Sequence, residues 1–436
     1  MFYIDLWTNG NTTSRALPVV TMFETGSMKI DKYHEKTEDK AFVNGHYYTD
    51  KAPLPTYIIM PFFWIAKSTG IIKPDENESY FGKPVYAIGD VIVGVIPFVL
   101  ILLIVYKEVA DKSINISPAL LTMLPFYGSF LYVFSGTYFA HLLSGLLLLL
   151  SYIQLKKQKY FFSGIYGGLS FLCEYNHALI LFLWGFLIII NMRSVKSFFY
   201  YSFGILPSII FIMIYNYIFT GSPLDMLYKF HTYSELHSNY GFSHPTLASI
   251  WGLTFSNYRG LIFYIPFLFL GIVYLVKYYK QINLKALIKS YLFFPFIIYF
   301  LMISSYFGWW GGWTYGPRLL TGIGIILLYE CIIMISKKKV SRFLFYLFSG
   351  FGLICAFMAK ATVVYSVPTD VKNPFIDLII PNLIKGKYNE NNLLTIIFDL
   401  SPKISFYLYI VIFTLLMTLL YLIYISKKSK ITKANL

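Results

Sequence analysis

The feature that most constrains this chain is a series of long apolar runs. Four of the clearest cover residues 86–106, 198–220, 290–306 and 404–425. A helix needs about 20 apolar residues to cross a hydrocarbon core of about 30 Å, and each run is close to that length. Charged residues make up 13% of the chain, which is about half the share found in a soluble globular protein. The sequence therefore predicts an all-α polytopic membrane protein.

The same reasoning along the whole chain predicts about eleven transmembrane helices. Between them the loops alternate, with mostly short loops on one face of the membrane and longer polar segments on the other. The predicted spans are 86–106, 118–134, 137–155, 160–175, 178–192, 198–219, 260–276, 290–306, 317–336, 343–366 and 404–425.

Basic residues are concentrated in the short loops. One loop contains Lys156, Lys157 and Lys159, and the tail after residue 425 contains four more lysines. By the positive-inside rule these loops and the C-terminus are predicted to be cytoplasmic, in an inner or plasma membrane. The net charge of +15 is accounted for by these loops, so it does not indicate a nucleic-acid partner.

The opposite face receives the polar segments, which are predicted to be extracytoplasmic. Loops of this size usually fold or bind something, which favours chemistry at this face. The segment 53–72 is apolar but short and interrupted by prolines, so an interfacial helix is expected there. The predicted organisation is a first loop at 1–85, a transmembrane domain at 86–425 with outer loops 220–259, 307–316 and 367–403, and a basic tail at 426–436.

The first loop is rich in carboxylates. A carboxylate at the membrane surface can act as a general base toward a hydroxyl group, and a neighbouring Lys or Arg can neutralise a leaving phosphate. Ordinary mixed charge on a solvated loop is the alternative reading. The carboxylates are Asp5, Glu24, Asp31, Glu35, Glu38, Asp39 and Asp50, and the basic residues include Arg15, Lys40 and Lys51.

Other polar and aromatic residues leave alternatives open. The tryptophans of the 307–316 loop fit either an interfacial aromatic belt or a wall that stacks on sugars. His231, His237 and His244 have no metal-ligand spacing, so no metal site is predicted. Lys360 is expected to extend outward from the end of its span. A structural and a catalytic role are equally open for the polar residues at outer span ends, which are Asp90, His141, Glu174, Asn176 and His177.

Three outer segments together resemble one enzyme family. Residues 44–53 read NGHYYTDKAP, with Arg15 and an ETGS stretch at 24–27 upstream, and residues 306–318 read YFGWWGGWTYGPR. The 244–260 region adds His-Pro, Trp-Gly and Arg-Gly pairs before a predicted span. This pattern is similar to that of bacterial GT-C membrane glycosyltransferases, the relatives of protein O-mannosyltransferases and lipid A aminoarabinose transferases.

The resemblance implies a GT-C fold and an inverting transfer of a sugar from a polyprenyl-phosphate donor to an envelope glycan, lipid or protein. No cofactor is expected beyond the lipid-linked substrate. Lys51 and Arg318 are expected at the donor phosphate, and Arg15 is expected to order the acidic loop or assist the same phosphate. The further residues expected at the donor, the sugar or the lipid are Lys40, Tyr47, His46, Trp310, Trp313, His244 and Arg259.

The chain departs from the family pattern in two places. Many relatives carry an acidic motif just before the position of Arg15, where this chain reads NTTS at 11–14. The base is therefore expected to be Asp39, or else Asp31 or Glu24. Relatives also have a spanning helix before the first loop, whereas Met1 falls inside that loop here. Either the reading frame is truncated, which is the expectation, or the chain lacks that helix.

Two other classes remain open. One is a carrier or flippase, or a polymerase, for lipid-linked saccharides, and the other is an inactive relative. A carrier is expected to hold its essential charges in the middle of its spans, whereas a transferase is expected to lose activity through outer-loop changes.

Overall fold

The structure is a computed structural model that describes residues 3–6, 9–75, 79–112, 115–192, 194–233, 240–277 and 283–434, apart from the side chains of Leu284 and of 427–434. The basic side chains predicted for the tail therefore lie outside the described residues. The chain is 69% helical with almost no sheet. This confirms the all-α prediction.

Helices occupy every predicted span. Five are long and apolar enough to cross a membrane: Lys83–Val109, Val195–Thr220, Arg318–Ser336, Arg342–Thr362 and Pro402–Ser426. Shorter apolar helices, of 10–17 residues, occupy most of the remaining spans. Several spanning helices are thus compatible with a membrane protein by length and composition, while the number of eleven crossings stays a prediction.

Among the described residues, the part of the chain up to residue 230 contains ten α-helices and one β-hairpin. A π-helical turn, Asp90–Val95, joins two of the helices, and 3₁₀ turns lie at Asp31–Lys36 and Leu227–Phe230. The elements are α1 (Gly10–Thr25), β1 (Ala41–Val43), β2 (His46–Tyr48), α2 (Leu54–Ser68), α3 (Lys83–Gly89), α4 (Ile96–Val109), α5 (Pro118–Tyr127), α6 (Phe130–Phe134), α7 (His141–Lys156), α8 (Tyr160–Cys173), α9 (His177–Met192) and α10 (Val195–Thr220).

The second half is likewise helical. A 3₁₀ turn at Arg318–Leu320 leads into one helix, and a π-helical turn at Phe375–Ile379 leads into another. The elements are α11 (Leu247–Thr254), α12 (Leu261–Tyr264), α13 (Phe267–Lys277), α14 (Leu284–Ile288), α15 (Phe293–Ser304), α16 (Thr321–Ser336), α17 (Arg342–Thr362), α18 (Ile380–Ile384), α19 (Leu393–Phe398) and α20 (Pro402–Ala434).

Two predicted spans are interrupted, one at a glycine and one at a proline. The 118–134 span divides at Gly128, which follows α5, and α6 begins after Ser129. The 260–276 span divides at Pro266, between α12 and α13. Proline lacks a backbone N–H and restricts the residue before it, so the helix ends there.

The segment before residue 53 contains a helix that the apolar pattern did not predict. The side chain of Asn9 caps α1 by accepting a hydrogen bond from the Asn11 N–H at 2.9 Å. Helix α1 ends at Gly26, whose φ of 69° is a left-handed conformation that glycine adopts readily. The Thr56 hydroxyl of α2 donates to the Arg15 carbonyl at 3.0 Å. The polar first half of α1 is thereby buried against its neighbours.

Lys360 corrects an expectation. It was predicted to extend outward, but its side chain is fully buried. The ammonium group donates to the carbonyl oxygens of Val133 and Ser135, each at 2.6 Å. These carbonyls lie at the break after α6, where the helix leaves acceptors unpaired. Lys360 therefore satisfies a helix end inside the bundle.

Helices α8 and α10 pack with almost no space between their backbones. A methyl group added at Gly164 would overlap the Tyr201 carbonyl oxygen, and one added at Gly204 would overlap the Phe161 carbonyl oxygen. Small residues allow this close approach in membrane helices. The two glycines therefore fix the distance between the helices.

Gly164→Val is expected to lower the free energy of unfolding by about 1–3 kcal/mol, because the added methyl groups must push α8 and α10 apart. The matched control is Gly350→Val in α17, where an added Cβ meets no atom within 4 Å. Thermal unfolding of the purified protein in detergent measures both variants. Equal losses in the two variants would show that helix propensity, rather than the contact, decides the result.

Candidate functional site

The β-hairpin brings two predicted site residues together. Asn44 and Gly45 form its two-residue turn with φ values of 51° and 81°, the conformation that Asn-Gly pairs favour. This turn sets the register in which Ala41 pairs with Tyr48. Because the strands are antiparallel, the residues just before β1 lie beside those just after β2. Asp39 therefore meets Lys51, with an oxygen–nitrogen distance of 2.9 Å.

Lys51 lies between two carboxylates. Its Nζ is 2.9 Å from Asp39 Oδ2 and 2.8 Å from Asp50 Oδ2. The Asp50 side chain is completely buried, and its other oxygen accepts a hydrogen bond from the Ser14 hydroxyl of α1 at 3.2 Å. The Asp39 side chain keeps 31% of its surface exposed. Asp50 is thus the inner partner of Lys51, and Asp39 is the accessible one.

The ion pair between Asp39 and Lys51 shifts the pKa values of both groups. Burial raises the pKa of the Asp39 carboxyl, but the Lys51 ammonium more than reverses this and holds the pKa below its usual value. Burial lowers the pKa of Lys51, but Asp39 and Asp50 together raise it above its usual value. Both groups therefore remain charged throughout the neutral range.

Two cavities adjoin this ion pair, and Asn11, Gly312 and Arg318 line both. We call the first the polar cavity. It has a volume of about 620 Å³ and is lined by Asp5, Asn9, Gly10, Asn11, Glu38, Asp39, Gly312, Trp313, Arg318, Val363, Val364, Tyr365, Ser366 and Asn389.

The second is the apolar-walled cavity, with a volume of about 630 Å³. One side carries charged and polar groups, and the other is formed by aliphatic and aromatic side chains. Its polar lining includes Asn11, Arg15, Asp50, Lys51, His141, Glu174, Asn176 and Arg318, and its apolar lining includes Leu179, Met226, Phe242, Met302, Ile303, Phe307, Trp310 and Leu319.

All four segments predicted to lie on the outer face contribute to these two cavities. The 1–85 segment supplies Asp39 and Lys51, and the 220–259 segment supplies Met226. The 307–316 loop supplies Trp313, and the 367–403 segment supplies Asn389. Segments far apart in sequence thus form one site, and Asp39 and Lys51 lie on its two sides.

Arg318 carries a guanidinium group without a close partner. Its Nε is buried without a hydrogen bond, and among the described residues its guanidinium forms neither a hydrogen bond nor an ion pair. Asp39 and Glu174 attract it electrostatically, and the Phe139 ring lies 5.2 Å from its guanidinium carbon. A buried cation is unfavourable when unpaired, so this group is suited to an anionic ligand.

Arg259 is the opposite case. It is fully buried and donates to the carbonyl oxygens of Trp310 at 3.0 Å and Tyr258 at 2.8 Å. It also donates to Gly312 at 3.3 Å, and its guanidinium stacks on the Tyr258 ring at 4.0 Å. The sequence predicted a sugar or lipid contact for Arg259, whereas these contacts hold the 307–316 loop in place.

Glu174 organises the polar side of the apolar-walled cavity. Its carboxylate lies 3.0 Å from His141 Nδ1 and 3.9 Å from an Arg15 guanidinium nitrogen. Arg15 also donates to the Ala52 carbonyl at 3.3 Å, next to Lys51. His141 Nε2 and Asn176 Oδ1 are buried without hydrogen bonds to described residues. These atoms line the cavity and are available to a ligand's polar groups.

The structure brings six of the predicted site residues to the cavities and leaves the others outside. Asp39 and Trp313 line the polar cavity, Arg15, Lys51 and Trp310 line the apolar-walled cavity, and Arg318 lines both. The residues that line neither cavity are Glu24, Asp31, Lys40, His46, Tyr47, His244 and Arg259.

The two alternative bases are held by local partners. Glu24 accepts hydrogen bonds from the Tyr33 hydroxyl at 2.9 Å and from the Tyr80 N–H at 2.9 Å, and it pairs with Lys32. Asp31 accepts from the Tyr47 N–H at 2.6 Å and pairs with His46 at 2.7 Å. Neither carboxylate lines the polar cavity or the apolar-walled cavity, so the geometry favours Asp39.

The remaining predicted residues have other contacts. The Lys40 ammonium donates to the His34 carbonyl at 2.7 Å and lies over the Tyr47 ring. His244 is exposed, His231 lies 3.8 Å from Asp50, and His237 lies outside the described residues. Within the described ranges no group of three or more His, Cys, Asp or Glu side chains is arranged to hold a metal ion.

Several site residues were not predicted from the sequence. Asp50 was named only among the seven carboxylates of the first loop, with no role at the donor, and Asn11 only as part of the NTTS stretch where an acidic motif is missing. Asn389 and Tyr365 reach the polar cavity from the last outer segment and the end of α17. The Asn-Gly pair at 44–45 was a readable hairpin signal, and a hairpin would have indicated that Asp39 and Lys51 are neighbours. No pattern in the sequence indicates that Asn389 lies at the polar cavity.

Comparisons with known proteins found no family model, no curated protein and no solved structure that matches the chain. The resemblance to GT-C glycosyltransferases therefore stays a prediction.

The two arginines are expected to respond oppositely to the same substitution. Arg259→Met is expected to lower the free energy of unfolding by about 3 kcal/mol or more, because buried carbonyls lose their donors. Arg318→Met is expected to leave stability unchanged or to raise it, because it removes a buried cation that has no close partner among the described residues. Thermal unfolding in detergent compares the two. A large loss in Arg318→Met would show that the guanidinium has a structural role.

Proposed function

We propose that the chain is an inverting membrane glycosyltransferase that takes its sugar from a polyprenyl-phosphate donor. The observation that carries this proposal is the meeting of Asp39, Lys51 and Arg318 where the two cavities adjoin. A base, a phosphate-binding lysine and an unpaired arginine are the groups that such a transfer requires. The similarity to GT-C enzymes in the outer segments supports the same conclusion.

The topology of the proposed enzyme follows the charge pattern. About eleven helices cross the membrane, the site faces the extracytoplasmic side, and the basic loops and tail lie in the cytoplasm. This arrangement is supported by the gathering of all four predicted outer segments around the cavities. A donor with its lipid chain in the outer leaflet then reaches the site from within the bilayer.

The apolar-walled cavity suits the donor. Its volume of about 630 Å³ lies within the roughly 300–1,000 Å³ of small-molecule sites. Phe242, Met302 and Leu319 offer contacts for isoprene units, while Lys51 and Arg318 offer charge for the phosphate. Charge-assisted contacts of this kind are strong in a partly buried site. The sugar then faces Glu174, His141 and Asn176.

Donor binding activates the base. In the free protein Lys51 pairs with Asp39, which lowers the basicity of the carboxylate. A donor phosphate competes for the Lys51 ammonium and so weakens this pair, while Asp50 continues to hold Lys51. The pKa of Asp39 then rises toward its usual value. The carboxylate becomes a better base when the donor is bound.

The transfer itself is a single displacement. Asp39 takes the proton of the acceptor hydroxyl, and the hydroxyl oxygen forms a bond to the anomeric carbon. The bond from that carbon to the phosphate oxygen breaks, and its electron pair leaves on polyprenyl phosphate, whose charge Lys51 and Arg318 stabilise. The nucleophile enters from the polar cavity and the phosphate leaves into the apolar-walled cavity. Attack from the opposite side inverts the anomeric configuration.

Asp39→Asn and Lys51→Gln are each expected to reduce release of free polyprenyl phosphate by at least about a hundredfold, because they remove the base and the phosphate contact. Mass spectrometry measures this release after purified protein is incubated with a panel of polyprenyl-phosphate sugars and acceptors. The matched controls, Asp31→Asn and Lys40→Gln, change residues that line neither cavity and are expected to keep full turnover.

Loss of turnover in Asp31→Asn but not in Asp39→Asn would show that the base is misassigned. A protein that binds the donor and moves it across a bilayer without releasing polyprenyl phosphate would be a carrier, and the transferase proposal would be wrong.

The pH profiles of kcat/KM and kcat are expected to differ, because the first reports on the free protein and the second on the complex with the donor. Since Lys51 lowers the pKa of Asp39 in the free protein, the acid limb of kcat/KM for the donor is expected below the usual pKa range of an aspartate. Once the donor engages Lys51, the pKa of Asp39 rises, so the acid limb of kcat is expected at higher pH. Initial rates between pH 3 and 9 test this. Identical acid limbs in the two profiles would contradict activation by the donor.

A further inference from the structure

The lining of the polar cavity differs from that of the apolar-walled cavity, which was assigned to the donor. Carboxylates of Asp5, Glu38 and Asp39 face the same space as carboxamides of Asn9, Asn11 and Asn389. The aliphatic lining consists of Val363 and Val364. A lipid acceptor needs extended apolar walls, so the lining disfavours a lipid chain and favours a ligand that is rich in hydrogen-bonding groups.

The three carboxamides are oriented by the protein. The Asn9 oxygen accepts from the Asn11 N–H at 2.9 Å, and the Asn389 oxygen accepts from the Asn391 N–H at 2.7 Å. The Asn11 oxygen accepts from Arg15 Nε at 3.3 Å. Each oxygen is thus occupied, and the three NH₂ groups make no hydrogen bond to another residue in the described part of the chain. They remain as donors for a ligand.

This arrangement matches the hydrogen-bonding of sugar hydroxyls. A hydroxyl group accepts from an NH₂ group with its lone pairs and donates its proton to a carboxylate. The polar cavity supplies both kinds of partner along one wall, since Asn9 and Asn11 lie at the start of α1 and Asp39 lies beside Gly10. A peptide segment, whose backbone presents mainly amide groups, matches so many carboxylates less well.

Trp313 provides a flat apolar surface in the same cavity. Its side chain is 56% exposed although the indole is a large apolar group. Such rings pack against the apolar faces of sugar rings. The cavity also holds three carboxylates against the single guanidinium of Arg318. Lys51 offsets the charge of Asp39 from the other cavity, and the remaining carboxylates disfavour strongly anionic acceptors by repulsion.

We propose that the polar cavity binds the acceptor, and that this acceptor is the end of a neutral or amino-containing saccharide. The inference rests on the proposed transferase function and specifies its acceptor class. One sugar ring stacks on Trp313, hydroxyls contact the carboxamides of Asn9, Asn11 and Asn389, and the reacting hydroxyl meets Asp39. Its oxygen bonds to the anomeric carbon of the donor sugar, its proton goes to Asp39, and polyprenyl phosphate leaves.

The first test measures binding without the donor. The full chain in nanodiscs is titrated with chitotriose, maltotriose and cellotriose, and saturation-transfer NMR follows the sugar protons. At least one of these is expected to bind, and Trp313→Ala is expected to weaken it by about fivefold to tenfold. Trp251→Ala is the matched control, because Trp251 is 62% exposed and lines neither cavity. Absence of binding, or equal binding in both variants, would overturn the saccharide assignment.

The second test measures turnover and separates this inference from the proposed function. Release of polyprenyl phosphate with an oligosaccharide acceptor, lost in Trp313→Ala, supports both. Turnover with a serine-containing peptide or a lipid, but with no oligosaccharide, would overturn the acceptor class while leaving the transferase in place. Oligosaccharide binding without release of polyprenyl phosphate from any donor would overturn the transferase and leave a saccharide-binding cavity.

Discussion

The ion pair that joins Lys51 to Asp39 and Asp50 is the interaction on which the site depends. Two carboxylates this close repel each other unless a cation lies between them, and Asp50 is completely buried. Removing water from these charges is unfavourable, so all three must be held in place by other contacts. Ser14 of α1 supplies one of them by donating to Asp50. The hairpin, the start of α2 and the first turns of α1 are thereby tied together at one point.

The contacts of the two arginines distinguish a structural cation from one suited to a ligand. The Arg259 guanidinium donates hydrogen bonds to backbone carbonyls and so holds the 307–316 loop in place. Arg318 lies at the end of that loop and faces both cavities without a close partner among the described residues. The first arginine positions the loop that carries the second. Functional sites often accept such unfavourable arrangements, and the surrounding structure compensates for them.

The fold could be predicted from the sequence to a large extent, because apolar length is a local property. Every predicted span contains a helix, and errors occur where Gly128 or Pro266 breaks it. Helix α1 was not predicted, because its first half carries Thr12, Thr13, Ser14 and Arg15 and so lacks an apolar run. Lys360 was placed wrongly because its partners, the carbonyls of Val133 and Ser135, belong to another part of the chain.

Site residues could be predicted from the sequence only where the type of side chain was enough to suggest a role. Asp39, Lys51 and Arg318 were named from the sequence, and they do meet at the cavities. The choice among Glu24, Asp31 and Asp39 depends on which carboxylates are occupied by local partners, and no spacing reveals that. Tyr33 and Tyr47 donate hydrogen bonds to Glu24 and Asp31, and these two carboxylates line neither cavity, so the geometry favours Asp39 as the proposed base. The register of the hairpin at 41–48 places Asp39 beside Lys51.

The polar start of α1 explains how one element can serve both cavities. Asn11 lines the two of them, Asn9 faces the polar cavity and Arg15 faces the apolar-walled one. A helix with an apolar first half would lose the contacts of Thr13 and Ser14 with their buried neighbours. It would also leave both cavities without the polar groups of Asn11 and Arg15. Asn11 and Arg15, two of the polar residues that keep α1 from resembling a membrane span, thus also line the cavities. Under the proposed reaction the start of α1 contacts both acceptor and donor, so a shift in α1 would alter the distance between the attacking oxygen and the anomeric carbon.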